Sequence, residues 1–266
     1  MAAVDIPQIK KNLKTSRFGQ TIHFEPSVDS TNRRALSGID SGAKCGEVFL
    51  TDYQTKGHGR GNRLWESAEG KNILMTLIDF APASAGKIFQ LTLVAGVAFQ
   101  EALVSLFPSL SVRLKWPNDL LVYPEREKRV ERVEGKKLAG ILCEKHSSRP
   151  MAVVGVGINV NASTEDFTAE TAKIAASLAL QLGSPVEREP IAAACLNSYE
   201  KRRNEYDKSG FGPIRTAWLK KTDMMEKKVR IVESGKTFEG TAQDLDGDGF
   251  LVVDGERVIS GDVVIL

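Results

Sequence analysis

Three short, largely apolar runs constrain the fold of this chain more than any other feature of its sequence. NILMTLIDF, KLAGILCEK and AVVGVGINV are each nine residues long. Runs of this length are typical of strands buried on both faces, whereas a membrane span needs roughly 18 apolar residues or more. The runs therefore predict a covered sheet, and we expect no segment that spans a membrane.

The pattern of apolar residues in the rest of the chain changes twice. Helical spacing of apolar residues predicts helices over Ala85–Phe107 and, later, in ETAKIAASLALQLGSP, EPIAAACLNSYEKRRNEYDKSG and PIRTAWLKK. From Thr222 onwards, glycine and aspartate turns separate four strand-like segments, KKVRIVES, KTFEGTAQ, GFLVVD and ERVISGDVVIL. We predict an α+β (mixed α/β) main domain over residues 1–221 and a small β-barrel domain over residues 222–266.

Charge and cysteine content exclude several classes of protein. The chain has 36 Lys and Arg against 34 Asp and Glu, and this formal net charge of +2 is not that of a general nucleic-acid binder. Cys45, Cys143 and Cys195 are too far apart to indicate a disulfide framework or a CxxC site. Since the first residues also lack an apolar signal core, we expect a cytoplasmic location.

The segment TDYQTKGHGRGNRLWES, Thr51–Ser67, has the composition of an anion-binding loop. Glycines let backbone amides approach a ligand closely, and Arg60 and Arg63 add planar cationic donors for carboxylate or phosphate. Trp65 adds a flat face for stacking. The segment matches neither the P-loop nor the dinucleotide fingerprint, so its own physics leaves two readings open: a nucleotide or acyl-phosphate loop, and a surface hairpin with solvated arginines.

Three other short motifs are ambiguous when taken singly. In KWPNDLL, Asn118 and Asp119 follow a strand break and could hold Mg²⁺ or orient an amine, or simply stabilise a proline turn. Lys137 begins a predicted strand, where it could neutralise a phosphate or protect an edge from aggregation. In GVGIN, Asn159 offers an amide near two glycines, in a segment that could equally be a bulged strand.

Other patterns are excluded as sites. DLDGDG begins like a calcium loop, but the twelfth position is Gly255 instead of a bidentate glutamate, so a β-turn is predicted. His23, His58 and His146 are too scattered to indicate zinc, and no nucleophile elbow is present.

Together and in this order, the motifs DSTN, YQTKGHGRGNRLW, KWPNDL, KKLAGIL and GVGINVN resemble the biotin protein ligase family, in its form without an N-terminal DNA-binding domain. The likeness runs from about Ile22 to the C-terminus. It implies a catalytic domain similar to class II synthetases and an SH3-like C-terminal barrel. It also implies a two-step reaction: biotin and ATP form biotinyl-5′-AMP, and the biotinyl group then passes to a lysine of a carboxylase's biotin carrier domain.

The resemblance also implies roles for individual residues. The implied biotin-binding residues are Ser30, Thr31, Asn32, Gln54, Gly57, His58, Gly59, Arg60, Lys137 and Gly140. The implied nucleotide-binding residues are Arg60, Arg63, Trp65, Asn118, Lys137 and Asn159. Arg60, Lys137 and Asp119 would be catalytic, and Asn118 and Asp119 would hold Mg²⁺. Arg60 and Lys137 would offset the repulsion between a carboxylate and the α-phosphate that it attacks.

The sequence departs from the family pattern at two places. His58 stands where the family usually has an arginine, and the charged insertion over residues 124–135 matches no motif and is expected to be a surface loop. Only about 21 residues precede the first predicted strand, so we expect no DNA-binding domain and no DNA binding. An exposed strand edge would permit a homodimer.

Two alternative functions remain open at this level. One is a lipoate or octanoate ligase on the same scaffold, which the KWPND motif and the loop disfavour. The other is a non-catalytic biotin or nucleotide binder, for which His58 would be a sign of degeneration; the presence of Arg60, Lys137 and Asp119 argues against it.

Overall fold

A large mixed sheet forms the main part of the molecule in a computed structural model that describes residues 3–82, 87–123, 135–233 and 235–266. Its strand order is β1-β2-β3-β7-β6-β5-β4, with β1 parallel to β2 and every other pair antiparallel. The strands are β1 (Ile22–Val28), β2 (Val48–Gln54), β3 (Ile73–Phe80), β4 (Ser111–Lys115), β5 (Asp119–Tyr123), β6 (Lys136–Lys145) and β7 (Met151–Ile158). Residues 124–134 of the charged insertion lie outside the described residues.

The three apolar runs of the sequence form the three central strands, β3, β7 and β6. In β3, seven of the eight residues are buried, and only Phe80 at its end is exposed. A central strand loses its exposure to solvent on both faces, which is why its sequence reads as a continuous apolar run.

Helices cover this sheet. They are α1 (Ile6–Lys11), α2 (Thr31–Asp40), α3 (Ile88–Leu106), α4 (Ala169–Ile174), α5 (Leu178–Leu182), α6 (Arg188–Ser209) and α7 (Gly212–Leu219). By length and hydropathy alone α3 could cross a membrane, which the sequence expectation had missed, but 72% of its apolar window is buried in the protein. Its place is therefore that of a core helix, packed against α6 and β6.

The single helix predicted in ETAKIAASLALQLGSP is wrong: the segment forms α4 and α5. Between them Ala175 is extended and forms a parallel bridge to Lys137, and Ala176 N donates to Lys137 O at 2.9 Å. Ser177 then caps α5 by accepting a hydrogen bond from Leu180 N. Pairing with the start of β6 thus outweighs the helical preference of the alanines.

A second, antiparallel sheet follows, with strand order β11-β10-β9-β8-β12. It contains β8 (Lys228–Glu233), β9 (Lys236–Leu245), β10 (Leu251–Val253), β11 (Glu256–Val258) and β12 (Asp262–Ile265). ERVISGDVVIL forms two strands rather than one, because Gly261 between them has a φ of 123°. The predicted mixed α/β class with a separate C-terminal β unit is confirmed.

Polar contacts tie the second sheet to the main domain. Trp116, which is fully buried, donates from Nε1 to Gly249 O at 3.1 Å, and Arg215 Nε of α7 donates to Leu245 O at 2.6 Å at the end of β9. At β12, Asp262 lies 3.2 Å from Arg60, so this strand is close to the loop that follows β2.

Candidate active site

The glycine-arginine loop after β2 folds back on itself as a small hairpin. Gly59 N donates to Arg63 O at 2.7 Å, and Trp65 N donates to Gly57 O at 3.0 Å. The turn between them passes through Gly61, whose φ is 66°. The backbone of the loop is therefore the hairpin that one of the two sequence interpretations predicted. The role of the loop depends on where its side chains point.

Glu66 anchors the end of this loop to α4. Its carboxylate accepts hydrogen bonds from Thr168 N at 3.0 Å, Thr168 Oγ1 at 2.9 Å and Thr171 Oγ1 at 2.8 Å. Burial alone would raise the pKa of Glu66, but these hydrogen bonds outweigh it and lower that pKa. Sequence reasoning missed this anchor, because it lies about one hundred residues from its partners.

Trp65 lies flat on two glycines of the large sheet. Gly140 and Gly157 are paired across β6 and β7, and a Cβ on them would lie 2.9 Å and 2.4 Å from atoms of the indole ring. No larger residue fits beneath the ring without moving it. Trp65 Nε1 is buried and has no hydrogen-bond partner among the described residues.

Lys137 and Asp119 meet beside this tryptophan. Lys137 Nζ is 2.8 Å from Asp119 Oδ1 and 5.4 Å from the centre of the Trp65 ring. The contact is an ion pair rather than a well-aligned hydrogen bond, since Asp119 Oδ1 has no hydrogen-bond partner of good geometry among the described residues. Cation, carboxylate and aromatic face therefore share one small volume.

A β-bulge places Lys137 on this side of the sheet. Asp119 pairs with Gly140, but Leu121 pairs with Lys137 because Leu138 is an extra residue in β6. In a regular strand without a bulge, Lys137 and Gly140, which are three positions apart, would face opposite sides. The bulge thus supplies the alignment that the sequence pattern could not predict.

A buried polar shelf lies next to Trp65 on the same face of the sheet. Gln54 Oε1 accepts from Thr31 N at 2.8 Å and Thr31 Oγ1 at 3.1 Å. The Asn32 amide packs against Gly155, two residues before Gly157 in β7, and residues two apart in a strand share a face. Ser30, Thr31, Asn32 and Gln54 are therefore continuous with the Trp65 pocket.

The two arginines point toward the second sheet instead of the pocket. Arg60 Nη2 contacts Gly261 O and lies 3.2 Å from Asp262 Oδ1. Arg63 forms a bidentate pair with the same carboxylate, at 2.9 Å and 2.6 Å. Partial burial would raise the pKa of Asp262, but the hydrogen bonds and charges of Arg63 and Arg60 outweigh it and lower that pKa. Gly261 and Asp262, at the start of β12, thus hold the two loop arginines.

Replacing Asp262 by asparagine should loosen the loop. The Asp262 and Arg63 side chains are 48% and 59% exposed, so their pairing stabilises the closed loop by no more than about 1 kcal/mol. We expect trypsin to cleave after Arg60 and Arg63 about two- to fivefold faster in Asp262→Asn. The pKa of Asp262 is lower in the folded protein than in the unfolded chain, so its carboxylate is ionised and paired at neutral pH. The contact with Arg63 is lost only as the pH falls through this lowered pKa.

The matched control is Glu239→Gln. Glu239 forms an exposed ion pair with Arg230 at 2.7 Å on the same C-terminal sheet. Cleavage of the loop, followed by mass spectrometry, should be unchanged in this variant. Equal cleavage rates in Asp262→Asn and the wild type would show that the ion pairs do not hold the loop.

Lys115 belongs to the site although sequence reasoning missed it. It is half-buried and pairs with Asp119 across β4 and β5. Burial lowers its pKa, Asp119 raises it, and Lys137 lowers it further; Asp262 and Arg63 have smaller opposite effects. The first residue of KWPND was the available signal, since a strand-turn-strand hairpin brings its two ends together.

Asn118 and Asn159 flank the Lys137 cluster. Asn118 Nδ2 donates to Ile141 O at 2.8 Å, and Ile141 N donates back to Asn118 O at 2.9 Å, so this amide is held against β6. Asn159 is buried, and its Oδ1 has no hydrogen-bond partner among the described residues. Over the described ranges, no group of three or more His, Cys, Asp or Glu side chains could hold a metal ion.

Comparison with known proteins decides the family. Residues 24–161, which contain the loop, the shelf and the Lys137 cluster, match the profile of the Biotin/lipoate A/B protein ligase family. The chain belongs to this family. Residues 226–266 match the Biotin protein ligase C terminal domain. The family predicted from the five motifs is therefore confirmed.

Curated relatives cover most of the chain. It is 32% identical to the bifunctional ligase/repressor BirA of Bacillus spizizenii over 95% of this chain and 75% of that protein. It is 28% identical to the biotin–[acetyl-CoA-carboxylase] ligase of Paracoccus denitrificans over 86% of this chain and 92% of that one. The likeness therefore extends through both sheets.

Solved structures share the fold. The biotin protein ligase of Aquifex aeolicus in complex with biotin and ATP superposes with a TM-score of 0.75 at 23% identity, over 93% of this chain and 99% of that one. The Leishmania major enzyme in complex with biotinyl-5-AMP gives a TM-score of 0.61 at 20% identity, over 93% and 98%. At these identities the likeness concerns the fold.

Proposed function

We propose that this chain is an ATP-dependent biotin protein ligase. It forms biotinyl-5′-AMP from biotin and ATP, and then transfers the biotinyl group to a lysine of a carboxylase's biotin carrier domain. The observation that carries the proposal is the continuous face on which Lys137, Asp119 and Trp65 adjoin the Thr31 and Asn32 shelf. The family and the names of the relatives support it.

Each part of this face suits one part of the reactants. The uncharged shelf from Ser30 to Asn32, with Gln54, offers amide and hydroxyl groups to a ureido ring, which has both donors and acceptors. The flat indole of Trp65 suits adenine. Lys137 lies beside the Trp65 ring and would supply a cation where the acid and the α-phosphate of ATP meet.

In the first step the carboxylate oxygen of biotin attacks the α-phosphorus of ATP. A new bond joins this oxygen to the α-phosphorus, the bond from the α-phosphorus to the oxygen of the β-phosphate breaks, and pyrophosphate leaves. Both reactants are anionic, so a fixed cation is needed where they approach. Lys137 supplies that charge, Lys115 adds to it, and Arg60 and Arg63 become available when the nucleotide displaces Asp262 from them.

In the second step the neutral amine of the acceptor lysine attacks the acyl carbon, and AMP leaves. Asp119 is placed to orient this amine and take its proton, since its carboxylate lies on the reacting face beside Lys137. The amide bond forms as the acyl–phosphate bond breaks, and the proton of the amine passes to Asp119.

The residues proposed for Mg²⁺ fit a site completed by substrate. Asn118 and Asp119 offer one amide and one carboxylate, and Mg²⁺ commonly takes one or two protein ligands together with nucleotide phosphates. Lys137 must leave Asp119 for this, as it would on binding the α-phosphate. When bound, Mg²⁺ shields the charge of the pyrophosphate leaving group.

Four further proposals concern the chain as a whole. We place the domain boundary between residues 221 and 222, just before the Thr222 hydroxyl that donates to Leu114 O at 2.8 Å. The absence of DNA binding, a homodimer formed through an exposed strand edge and a cytoplasmic location stay predictions; the absence of DNA binding rests on the net charge of +2.

Pyrophosphate exchange with separate acids tests the function. With ATP and Mg²⁺, we expect exchange with biotin and at least 100-fold less with lipoate or octanoate, since a shelf of paired polar groups rejects chains that lack their partners. Exchange with lipoate alone would favour the alternative acyl ligase. If no acid supported exchange, the chain would instead be a binding module.

A further inference from the structure

Asn32 is held in one orientation by contacts on both sides of its amide. Its Oδ1 accepts from Thr76 Oγ1 at 2.7 Å, and its Nδ2 donates to Glu144 Oε2 at 2.6 Å and to Leu142 O at 3.2 Å. A Cβ at residue 155 would lie 2.0 Å from Asn32 Oδ1, so only glycine fits beneath it. The amide proposed to meet biotin therefore depends on one carboxylate, that of Glu144.

The same carboxylate oxygen also faces the glycine-arginine loop. Glu144 Oε2 lies 3.7 Å from His58 Nε2. His58 is held in the loop hairpin by its bridge to Leu64, and its Nδ1 is buried with no hydrogen-bond partner among the described residues. Glu144 therefore contacts the shelf through Asn32 and the glycine-arginine loop through His58.

The charges around His58 come from few elements. From β6, Glu144 is the carboxylate within 4 Å of its ring nitrogens among the described residues. On the same loop, Arg60 is directed at Gly261 and Asp262. From α2, Asn32 is uncharged, and Arg33 is directed at Asp29 at 3.5 Å. Glu144 is therefore the charged group that His58 faces.

Histidine makes this contact through a single atom. The imidazole approaches the Glu144 carboxylate with one ring nitrogen, Nε2, at 3.7 Å. An arginine at the same position would carry a permanent charge and a planar set of donors that can bind a carboxylate through two hydrogen bonds. Arginine at position 58 should therefore strengthen the contact between loop and shelf.

We infer that Glu144 is a positioning residue for the acid substrate, because it holds Asn32 of the shelf and His58 of the loop together and so determines how well biotin is retained. The inference rests on the proposed function. Glu144 does not touch the reacting atoms. It orients the shelf amide through Asn32 and contacts the loop through His58.

Equilibrium binding of biotin alone, at neutral pH, tests this. Leaving out ATP separates retention of the acid from the chemical step. We expect Glu144→Gln to bind biotin about fivefold more weakly than the wild type, the size of one partly exposed ionic contact. His58→Arg should bind at least as tightly as the wild type, and this gain should be lost when it is combined with Glu144→Gln.

Two comparisons keep the result specific. Glu47 forms a histidine–carboxylate pair with His23 at 2.7 Å, so Glu47→Gln should keep the wild-type affinity for biotin. Glu144→Gln retains an acceptor for Asn32, and its effect should appear in the KM for biotin with kcat for exchange changed less than about twofold. Wild-type affinity in Glu144→Gln would overturn the inference. An absence of exchange in the wild type would instead overturn the proposed function.

Discussion

Lys137→Met is expected to lower the rate of biotin-dependent pyrophosphate exchange about 100- to 1000-fold, the usual effect of removing one preorganised group that stabilises transition-state charge. Lys137 Nζ is 2.8 Å from Asp119 Oδ1 and is aligned by the bulge at Leu138. Methionine keeps most of the side-chain length, so the packing beside Gly140 and Trp65 is retained while the charge is lost. The measurement is steady-state exchange at saturating biotin and ATP.

Lys136→Met is the matched control. Lys136 is the neighbouring residue of β6, but it is exposed, and its Nζ lies 3.4 Å from Ala172 O at the surface. Its exchange rate should stay within about twofold of the wild type, since a solvated lysine contributes little. If Lys137→Met retained more than a tenth of wild-type exchange with an unchanged melting temperature, Lys137 would not be the catalytic cation.

Arg203→Met is expected to destabilise the protein by roughly 3–5 kcal/mol. Arg203 Nε donates to Asp79 Oδ2 at 2.7 Å, and Tyr199 OH donates to the same oxygen at 2.7 Å. Asp79 is fully buried in β3, so the variant leaves a carboxylate without its cation in the core. For a domain of this size, the melting temperature should fall by about 6–20 °C.

Calorimetry or a circular-dichroism melt measures this loss. Arg230→Met is the control, because Arg230 and Glu239 are 46% and 50% exposed and their pairing contributes at most about 1 kcal/mol. Asp79→Asn combined with Arg203→Met should recover part of the stability, since no unpaired carboxylate then remains at this place in the core. A melting temperature within 2 °C or so of the wild type for Arg203→Met would show that the buried pair does not stabilise α6 on the sheet.

The central sheet could be predicted from the sequence because its physics is local. Strands buried on both faces must be apolar along their length, and β3 and β7 follow that rule, whereas β6 is buried only around Leu138, Ala139 and Ile141. The C-terminal unit was also predictable, since short strands between glycine and aspartate turns leave a regular pattern. The helix boundary in residues 169–182 was not, because pairing of Ala175 with Lys137 joins residues 38 positions apart.

The candidate site was predictable in its residue types but not in its contacts. The sequence motifs indicated Lys137, Asp119 and Trp65 as site residues. Their contacts with one another, however, depend on a one-residue bulge and on glycines paired across β6 and β7. Asp262 lies 199 positions from Arg63, and Glu144 lies 86 from His58. No periodicity relates such pairs, so only the folded chain brings them together.

Intact-mass analysis of an acceptor domain tests the central claim most directly. The purified chain is incubated with biotin, ATP, Mg²⁺ and a biotin carrier domain, and the carrier is then weighed and mapped by proteolysis. The account predicts one added biotinyl group on one lysine of the carrier, and almost none when Lys137→Met replaces the wild type. An unchanged carrier mass in the presence of folded wild-type protein and all three reactants would contradict it.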